Sequence, residues 1–341
     1  MKAVGYTEQG LSITDPRALI DLELPDPAAP QGRDLLVEVR AVSVNPRDVK
    51  SRMAFAASAD TPMVLGYDAC GVVREAGPEA SLFRPGDEVF YAGVLNRQGS
   101  NAELQLVDER IVGRKPSTLD HAAAASLPLT ALTAYEMLFD RLALPSGSDA
   151  GAGEALFVLG GAGGVPSIAI QLARRLTGVT VVGSASRPES ERWVREMGAH
   201  HVVNHARPLK AELERLNLTE PLRYVFSTHT DTRSWTDIAA LIAPQGRFGL
   251  IDDPEPLDLR LVKMKSVSVH WEAMFTRPMF GTADMIRQHE ILNDVARLVD
   301  EGQLRPTATE SAGAINAANL RKAHAAIEAG RAVGKIVLAG F

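Results

Sequence analysis

The chain has 341 residues, enough for about two domains, and its shares of hydrophobic residues (45%) and charged residues (23%) are those of an ordinary globular protein. A net charge of −6 without any basic run argues against nucleic acid as a partner, and the single cysteine, Cys70, excludes an internal disulfide and a multi-cysteine zinc site. Because no apolar leader and no apolar stretch of about 18 residues occur, we expect a cytoplasmic protein that makes no membrane contacts.

The first part of the chain, up to about Ser126, has the pattern of a small β domain. Leu35–Val44 and Ala102–Val107 alternate apolar and polar residues, as half-buried strands do. Glycines interrupt the run Val64–Val73, and a Pro-Gly turn leads into the next apolar segment. Strands this short and this closely spaced predict a small, partly open barrel rather than a parallel sheet.

Beyond Ser126 the pattern changes to an alternation of strands and helices. We predict a helix that Thr130 caps and that ends at Leu144. Strands are then predicted at Ala155–Leu159, Thr180–Gly183, His201–Val203, Tyr224–Ser227, Gly246–Ile251 and Ser266–Trp271. Strands separated by helices predict an α/β fold with a doubly wound parallel sheet.

The end of the sequence lacks further strands of this kind. Helices are predicted at Ile291–Glu301 and Leu320–Ala329, and a single strand at Lys335–Leu338. With no neighbouring strand to pair with, these elements are expected to return to the N-terminal domain. We therefore divide the chain at residues 1–126, 127–276 and 277–341.

A glycine turn follows the predicted strand Ala155–Leu159 and precedes an amphipathic helix. It consists of Gly160, Gly161, Ala162, Gly163, Gly164 and Val165. Glycines let the backbone approach a pyrophosphate closely, and the unpaired N–H groups of a helix start face the anion, so the turn predicts a dinucleotide site. The alternative is a plain strand–helix turn without a ligand. Pro166 stands where such a motif usually has its last glycine, and it removes one backbone donor.

The residues after the second strand of the predicted sheet indicate which dinucleotide binds. NAD sites usually carry an acidic residue there, which holds the ribose 2′-hydroxyl. Here the strand is followed by Ser184, Ser186 and Arg187, whose hydroxyls and guanidinium suit a 2′-phosphate. We therefore predict NADPH as the cofactor, the alternative being a polar loop with an incidental arginine.

The histidines do not predict a metal site. His201 and His205 have the spacing of a helical zinc pair, but they lie on and beside a predicted strand. Residues four apart on a strand are about 13 Å from each other, which is too far for one ion. The other histidines considered are scattered singly: His121, His229, His270, His289 and His324.

Several short motifs, taken in order, resemble the medium-chain dehydrogenase/reductase superfamily. They are VSVNPRDVKSR (Val42–Arg52), VLGYDACGVV (Val64–Val73), RPGDEVF (Arg84–Phe90), LTALTAYEMLFDRL (Leu129–Leu142), the glycine turn, VHWEAMFTRPMF (Val269–Phe280) and GKIVL (Gly334–Leu338). The branch they resemble is the quinone oxidoreductase group called zinc-type alcohol dehydrogenase-like. The resemblance implies a Rossmann nucleotide-binding domain inserted into a GroES-like β-barrel catalytic domain, with the active site in the cleft between them.

The resemblance also assigns roles to individual positions. The catalytic metal ligands of the zinc enzymes in this superfamily correspond to Asn45, Tyr67 and Leu129, and the cysteine-rich lobe that binds structural zinc is missing, so we expect no metal. Further cofactor contacts are predicted at Thr133, Ser227, Ile251 and Lys335. In relatives the last strand of the sheet pairs with its twin, so we expect a homodimer through Ser266–Trp271.

These expectations converge on one reaction class. Without a Lewis acid, hydride transfer to a quinone or an electron-poor C=C bond is easier than alcohol oxidation. The catalytic candidates are Asn45, which would orient the substrate, and Tyr67 or Lys50, which would donate a proton, with water as the alternative donor. A surface lysine and a core tyrosine are the plainer interpretations of the last two residues.

We thus predict a zinc-independent, NADPH-dependent oxidoreductase that reduces quinones or other α,β-unsaturated carbonyls. An enoyl-thioester or alkenal reductase would use the same machinery. A non-catalytic NADPH-binding redox sensor or a structural protein would keep the same nucleotide domain, and a zinc alcohol dehydrogenase is the least favoured alternative.

Overall fold

In the computed structural model, residues 1–330 and 332–341 are described. The strands are β1 (Lys2–Tyr6), β2 (Ile20–Glu23), β3 (Asp34–Val44), β4 (Met63–Val64), β5 (Ala69–Ala76), β6 (Glu88–Tyr91), β7 (Leu104–Asp108), β8 (Val112–Arg114), β9 (Ala155–Leu159), β10 (Thr180–Ser184), β11 (His201–Val203), β12 (Leu222–Ser227), β13 (Arg247–Leu250), β14 (Ser268–Trp271), β15 (Ala308–Ser311) and β16 (Lys335–Ala339).

The α-helices are α1 (Pro46–Ala54), α2 (His121–Ala125), α3 (Pro128–Tyr135), α4 (Gly164–Leu176), α5 (Pro188–Glu196), α6 (Leu209–Glu214), α7 (Thr232–Leu241), α8 (Thr276–Phe280), α9 (Arg287–Asp300) and α10 (Ala317–Glu328). Short 3₁₀ turns lie at Pro16–Ala18, Glu109–Ile111 and Leu259–Lys265, and a π-helical turn lies at Glu136–Arg141. None of the helices in the described part of the chain combines the length and the apolarity that a bilayer span requires.

The chain forms two units. One, here called the divided unit, consists of Met1–Leu132 and Phe275–Phe341, and the other, the continuous unit, of Thr133–Met274. The first boundary lies six residues later than the sequence pattern suggested, because the start of α3 belongs to the divided unit. There the backbone N–H of Leu129 donates to the Asp68 carboxylate at 2.7 Å.

The predicted helix from Thr130 to Leu144 is wrong in its details. Helix α3 begins at Pro128 and gives way to the π-helical turn after Tyr135. Thr130 does not cap it, since its hydroxyl lies inside the helix and donates to the carbonyl of Leu127 at 2.9 Å. The capping residues of a helix cannot be read reliably from one hydroxyl when a proline two positions earlier already starts the turn.

The continuous unit is built on a parallel sheet with the strand order β11-β10-β9-β12-β13-β14. The chain first runs outward from β9 through β10 to β11, and then returns to the other side of β9 for β12, β13 and β14. Every residue of β9 is buried, so the predicted apolar run forms the centre of the sheet. The order reverses between β9 and β12, which is where doubly wound sheets bind ligands at the carboxyl ends of their strands.

The divided unit contains a sheet with the order β15-β16-β3-β5-β6-β8, in which β7 also pairs with β3, and a smaller sheet of β2, β1 and β4. Strand β16 is antiparallel to β3 and places Leu338 opposite Val42. The C-terminal strand therefore returns to the N-terminal part of the chain, as the sequence predicted. This pairing also brings Lys335 to the end of β3, close to the start of α1.

Helices α1 and α10 of the divided unit pack against each other around a buried histidine. His324 is fully buried, and neither ring nitrogen has a hydrogen-bond partner among the described residues. Burial, with a smaller contribution from the Arg52 guanidinium, lowers the pKa of His324 to about 3. The folded protein therefore excludes a proton that this side chain binds in the unfolded chain.

We expect this histidine to make the protein sensitive to acid. Below about pH 6.5 the unfolded chain takes up the proton that the folded state excludes, so the free energy of unfolding falls, by about 2 kcal/mol at about pH 5. His324→Leu removes this contribution, and urea titrations at about pH 7.5 and about pH 5 should show the smaller loss in the variant. The same substitution at the exposed His229 is the control, and equal losses in wild type and His324→Leu would contradict the explanation.

Candidate functional site

The glycine turn joins β9 to α4 and has a backbone that other residues would strain. Gly160 has a φ of +86°, and a Cβ atom there would lie 2.3 Å from Oγ1 of Thr228. At Gly161 a Cβ atom would lie 2.8 Å from the carbonyl oxygen of Ser184. At Gly163 the nearest atom would be 3.5 Å away, an ordinary contact. The first two glycines are therefore required by the turn itself, before any ligand is considered.

Two hydrogen-bonded side chains hold the turn in place. The N–H of Gly160 donates to Oγ of Ser184 at 2.9 Å, and the N–H of Gly161 donates to the carbonyl of Ser184 at 3.0 Å. On the other side, Ser167 donates its hydroxyl to the carbonyl of Gly163 at 2.7 Å and accepts from the indole of Trp193 at 2.8 Å. The turn is thus braced by residues from β10, α4 and α5.

The start of α4 offers backbone donors. The helix begins at Gly164, so the N–H groups of Gly164 and Val165 have no partner within it, whereas Pro166 has no N–H to offer. The half-buried Ala162 lies in the turn that leads to them. This arrangement suits the pyrophosphate of a dinucleotide, because N–H groups and the positive end of the helix dipole point the same way.

The structure places the residues predicted to bind the 2′-phosphate in different environments. Ser184 is fully buried and belongs to β10, and its hydroxyl is used by the turn, so we correct its role from phosphate ligand to support of the turn. Ser186 is exposed just after the strand, and the Arg187 side chain is 41% exposed with its Nε 3.6 Å from Glu189. Ser186 and Arg187 directly follow the carboxyl end of β10, and their contact with a phosphate stays a prediction.

The other predicted cofactor residues of the continuous unit lie at its carboxyl edge or at its start. Ser227 ends β12 and is buried, with its hydroxyl bonded to that of Thr230 at 2.9 Å. Ile251 follows β13 and is half-buried, and Thr133 is a buried residue of α3. Beside Gly160 a cavity of about 120 Å³ opens at the same edge. Its polar lining residues are His205, Arg207, His229, Asp231, Arg233, Ser234 and Asp237.

The divided unit contains a buried polar cluster, the Asp68 cluster, made of Ser43, Asn45, Asp68 and Lys335. The Asp68 carboxylate accepts from Ser43 Oγ at 2.9 Å, Asn45 Nδ2 at 2.8 Å and Lys335 Nζ at 2.8 Å. The Lys335 ammonium also donates to Oδ1 of Asn45. The side chains of Lys335 and Asp68 are 4% and 0% exposed, so the ion pair is almost completely removed from water.

This cluster changes two predicted roles. Both polar atoms of the Asn45 amide are engaged, so the side chain is locked in the cluster and does not reach out to orient a substrate. Lys335, predicted as a cofactor contact, is instead the counter-ion of Asp68. The sequence analysis missed Asp68, although an aspartate within the apolar run VLGYDACGVV was a signal that a buried partner was needed.

Tyr67 and Lys50 are placed differently from each other. Tyr67 is 2% exposed, its ring meets that of Phe275 edge-on with centroids 5.5 Å apart, and burial raises the pKa of its phenol to about 12, which a hydrogen bond with Ser51 offsets in part. Lys50 is exposed on α1. The structure adds Asp48, a fully buried carboxyl that accepts from the N–H of Asn45 at 2.8 Å and whose pKa burial raises to about 7.

The positions that hold catalytic zinc in the alcohol dehydrogenases do not fit a metal here. Leu129 has no ligand atom, the Asn45 amide is already used, and the raised pKa of Tyr67 disfavours a phenolate. The Lys335 ammonium beside Asn45 would also repel a cation. Across residues 1–330 and 332–341, no three histidine, cysteine or acidic side chains come together in a way that would hold an ion.

Comparison with known proteins adds independent observations. Residues 31–117 match the alcohol dehydrogenase GroES-like domain, and residues 197–338 match the zinc-binding dehydrogenase family. The zinc-type alcohol dehydrogenase-like protein of Staphylococcus aureus (strain COL) is 41% identical over 310 residues, which cover 91% of each chain. That of Staphylococcus epidermidis is 37% identical over 339 residues and 99% of each chain.

Solved structures are similar over the whole chain. A putative zinc-dependent alcohol dehydrogenase from Rhizobium etli CFN 42 is 57% identical with a TM-score of 0.95, covering 100% of this chain and 98% of that one. The quinone oxidoreductase of Coxiella burnetii, at 23% identity, covers 100% of this chain and 99% of that one with a TM-score of 0.77, and therefore speaks for the fold alone.

Proposed function

This chain belongs to the zinc-type alcohol dehydrogenase-like group of the medium-chain dehydrogenase/reductase superfamily, and we propose that it is a zinc-independent, NADPH-dependent reductase of quinones or other α,β-unsaturated carbonyls. That it is an oxidoreductase of this superfamily follows from the relatives. The observation that carries the finer proposal is the Asp68 cluster. In it the Asn45 amide, at a position that corresponds to a zinc ligand of the alcohol dehydrogenases, is bonded to the Lys335 ammonium, which supports a reaction without a metal-activated alcohol.

In the proposed reaction the bound NADPH supplies a hydride. The chain's own contribution is to hold the pyrophosphate at Gly164 and Val165, to hold the 2′-phosphate at Ser186 and Arg187, and to protonate the product. Tyr67 is our proposed donor, because its phenol is protonated at neutral pH and its O–H can stabilise a developing enolate or hydroquinone oxygen. Exposed Lys50 and water are the other donors considered.

The test is a screen of substrates with NADPH consumption as the readout. Quinones and enones should be turned over well above the uncatalysed rate, and Tyr67→Phe should lower kcat more than it raises KM. Preferred turnover of enoyl thioesters would select the related reductase activity instead. Tight NADPH binding without any turnover would select the redox sensor. Chelators should leave the rate unchanged, and stoichiometric zinc whose removal abolishes activity would overturn the zinc-independent reaction.

Cofactor preference gives a separate prediction. NADPH should bind at least about tenfold more tightly than NADH, or about 1.4 kcal/mol, because the loop after β10 offers a guanidinium and no carboxylate at its end. Arg187→Ala should remove most of that preference by weakening NADPH alone. The matched control is Arg192→Ala, an exposed arginine of helix α5, which begins directly after Arg187. Calorimetry that finds equal affinities in the unmodified protein would refute the assignment.

We also propose a homodimer formed through β14. This strand pairs with β13 on one side, stands at the end of the sheet order, and carries Trp271 with 61% of its surface exposed. Met264, in the turn that precedes β14, is 90% exposed. A second copy paired to this edge would cover both side chains. Light scattering should find two chains per particle and a weaker association in Trp271→Lys, whereas a stable monomer at about micromolar concentration would count against it.

A further inference from the structure

The glycine turn is connected to a histidine that plays no part in the proposed reaction. Ser184 Oγ accepts the N–H of Gly160 at 2.9 Å and lies 3.1 Å from Nδ1 of His205. An N–H group can only donate, so the Ser184 hydroxyl is an acceptor on the side of the turn. When the neutral His205 ring carries its proton on Nε2, the Ser184 hydroxyl donates its own proton to Nδ1. In that tautomer Gly160, Ser184 and His205 form a directed chain of hydrogen bonds.

The surroundings of His205 favour the neutral ring that such a chain requires. Burial is the main cause that lowers the pKa of His205, and the neighbouring His229 lowers it further. The cavity at this edge brings two more cations near, Arg207 after β11 and Arg233 on α7. Asp231, which caps α7, and Asp237, within α7, line the same cavity, and their negative charges oppose those of the two arginines. A neutral ring with a proton on Nε2 leaves Nδ1 free to accept from Ser184.

We propose that His205 is a positioning residue for cofactor binding, because by accepting from Ser184 it orients the hydroxyl that holds Gly160 and so fixes the turn that receives the pyrophosphate. This inference rests on the proposed function in one respect, namely that the turn binds a nicotinamide dinucleotide. It does not depend on which substrate is reduced. It also gives His205 a role that needs no contact with the cofactor.

Ser184 can transmit an effect of His205 to the glycine turn because its own position in the sheet is fixed. It is completely buried at the end of β10, where it pairs with Val203 of β11, so its backbone is fixed by the sheet. The direction of its hydroxyl proton remains adjustable, because the O–H can rotate about the Cβ–Oγ bond. Without an acceptor at Nδ1 of His205, that proton can rotate toward the side of the Ser184 oxygen that accepts the N–H of Gly160. The hydrogen bond to the turn is then weakened.

Two substitutions of His205 separate the positioning role from a general loss of structure. Asparagine places its side-chain oxygen close to the position of Nδ1, so His205→Asn keeps an acceptor for Ser184. Glutamine extends the oxygen to the position of Nε2, so His205→Gln keeps the polarity and loses that acceptor. By calorimetry, His205→Gln should bind NADPH and NADH about tenfold more weakly, whereas His205→Asn should stay within about twofold of the unmodified protein.

A double-mutant cycle tests whether the effect passes through Ser184. If it does, Ser184→Ala combined with His205→Gln should bind NADPH no more weakly than Ser184→Ala alone. His229→Gln, which alters the other histidine of the cavity, should instead add its effect to that of Ser184→Ala. Additive effects of Ser184→Ala and His205→Gln would mean that His205 contacts the cofactor directly and would overturn the proposal.

The outcomes also distinguish this inference from the proposed function. Unmodified protein that binds NADPH but reduces no quinone or enone would refute the proposed reaction and leave the cycle informative. Equal NADPH affinities of the unmodified protein and of His205→Gln would refute the positioning role and would not affect the proposed reaction. Melting curves of the unligated variants should coincide within a few degrees, because a single weakened hydrogen bond contributes little to the stability of the folded protein.

Discussion

Lys335→Met is expected to lower the free energy of unfolding by about 3–5 kcal/mol, because the Asp68 carboxylate is left buried without its counter-ion. The pair is 2.8 Å apart, and the two side chains are 4% and 0% exposed, so water cannot take the place of the lost ammonium. Ser43, Asn45 and the Leu129 N–H remain as neutral donors, and they do not compensate the charge. Chemical denaturation of the unligated protein measures the loss.

Two controls accompany this prediction. Arg297→Met removes an ion pair with Glu301 whose side chains are 54% and 42% exposed, and it should cost less than about 1 kcal/mol. The double variant Asp68→Asn with Lys335→Met removes both charges and should recover much of the stability lost in the single variant. A single variant as stable as Arg297→Met would show that the buried pair contributes little.

The second large effect is expected in the glycine turn. Gly160→Ala forces a side chain into a φ of +86° and places its Cβ 2.3 Å from Oγ1 of Thr228, so we expect a loss of about 3 kcal/mol in stability. It should also abolish measurable NADPH binding, because the turn that receives the pyrophosphate is displaced. Thermal melting and calorimetry report the two losses separately.

Gly163→Ala is the matched control in the same turn. The φ of Gly163 is −70°, and an added Cβ would be 3.5 Å from the nearest atom. The free energy of unfolding of the unligated variant should therefore differ from that of the unmodified protein by less than about 1 kcal/mol. Equal destabilisation by the two alanines would show that the space around Gly160 does not decide the outcome.

The continuous unit was predictable from sequence because its signals are local. The apolar run Ala155–Leu159, the glycines after it and the helix beginning at Gly164 are contiguous, and each has a distinct residue pattern. The error at Ser184 came from a single residue. The predicted strand ended at Gly183, whereas β10 continues through Ser184, and this step turns its hydroxyl from the surface to the interior.

The Asp68 cluster was not predictable in the same way. Its members come from β3 and the residue after it, from the segment before β5 and from β16, and they meet because β16 pairs with β3. A sequence pattern reports neighbours within a few residues, whereas Lys335 and Asp68 are 267 positions apart. What the sequence does contain is the hint of two opposite charges, each inside an apolar segment.

The pairing of β16 with β3 has a consequence for the order in which the chain folds during its synthesis on the ribosome. The whole of Thr133–Met274 emerges as one uninterrupted segment and can fold as soon as it is made, whereas Asp68 must wait for a lysine synthesised 267 residues later. Closing the surrounding strands over Asp68 during that interval would bury a carboxylate without its counter-ion, which costs free energy. The central segment of the chain is therefore expected to mature before the part that encloses it in the sequence.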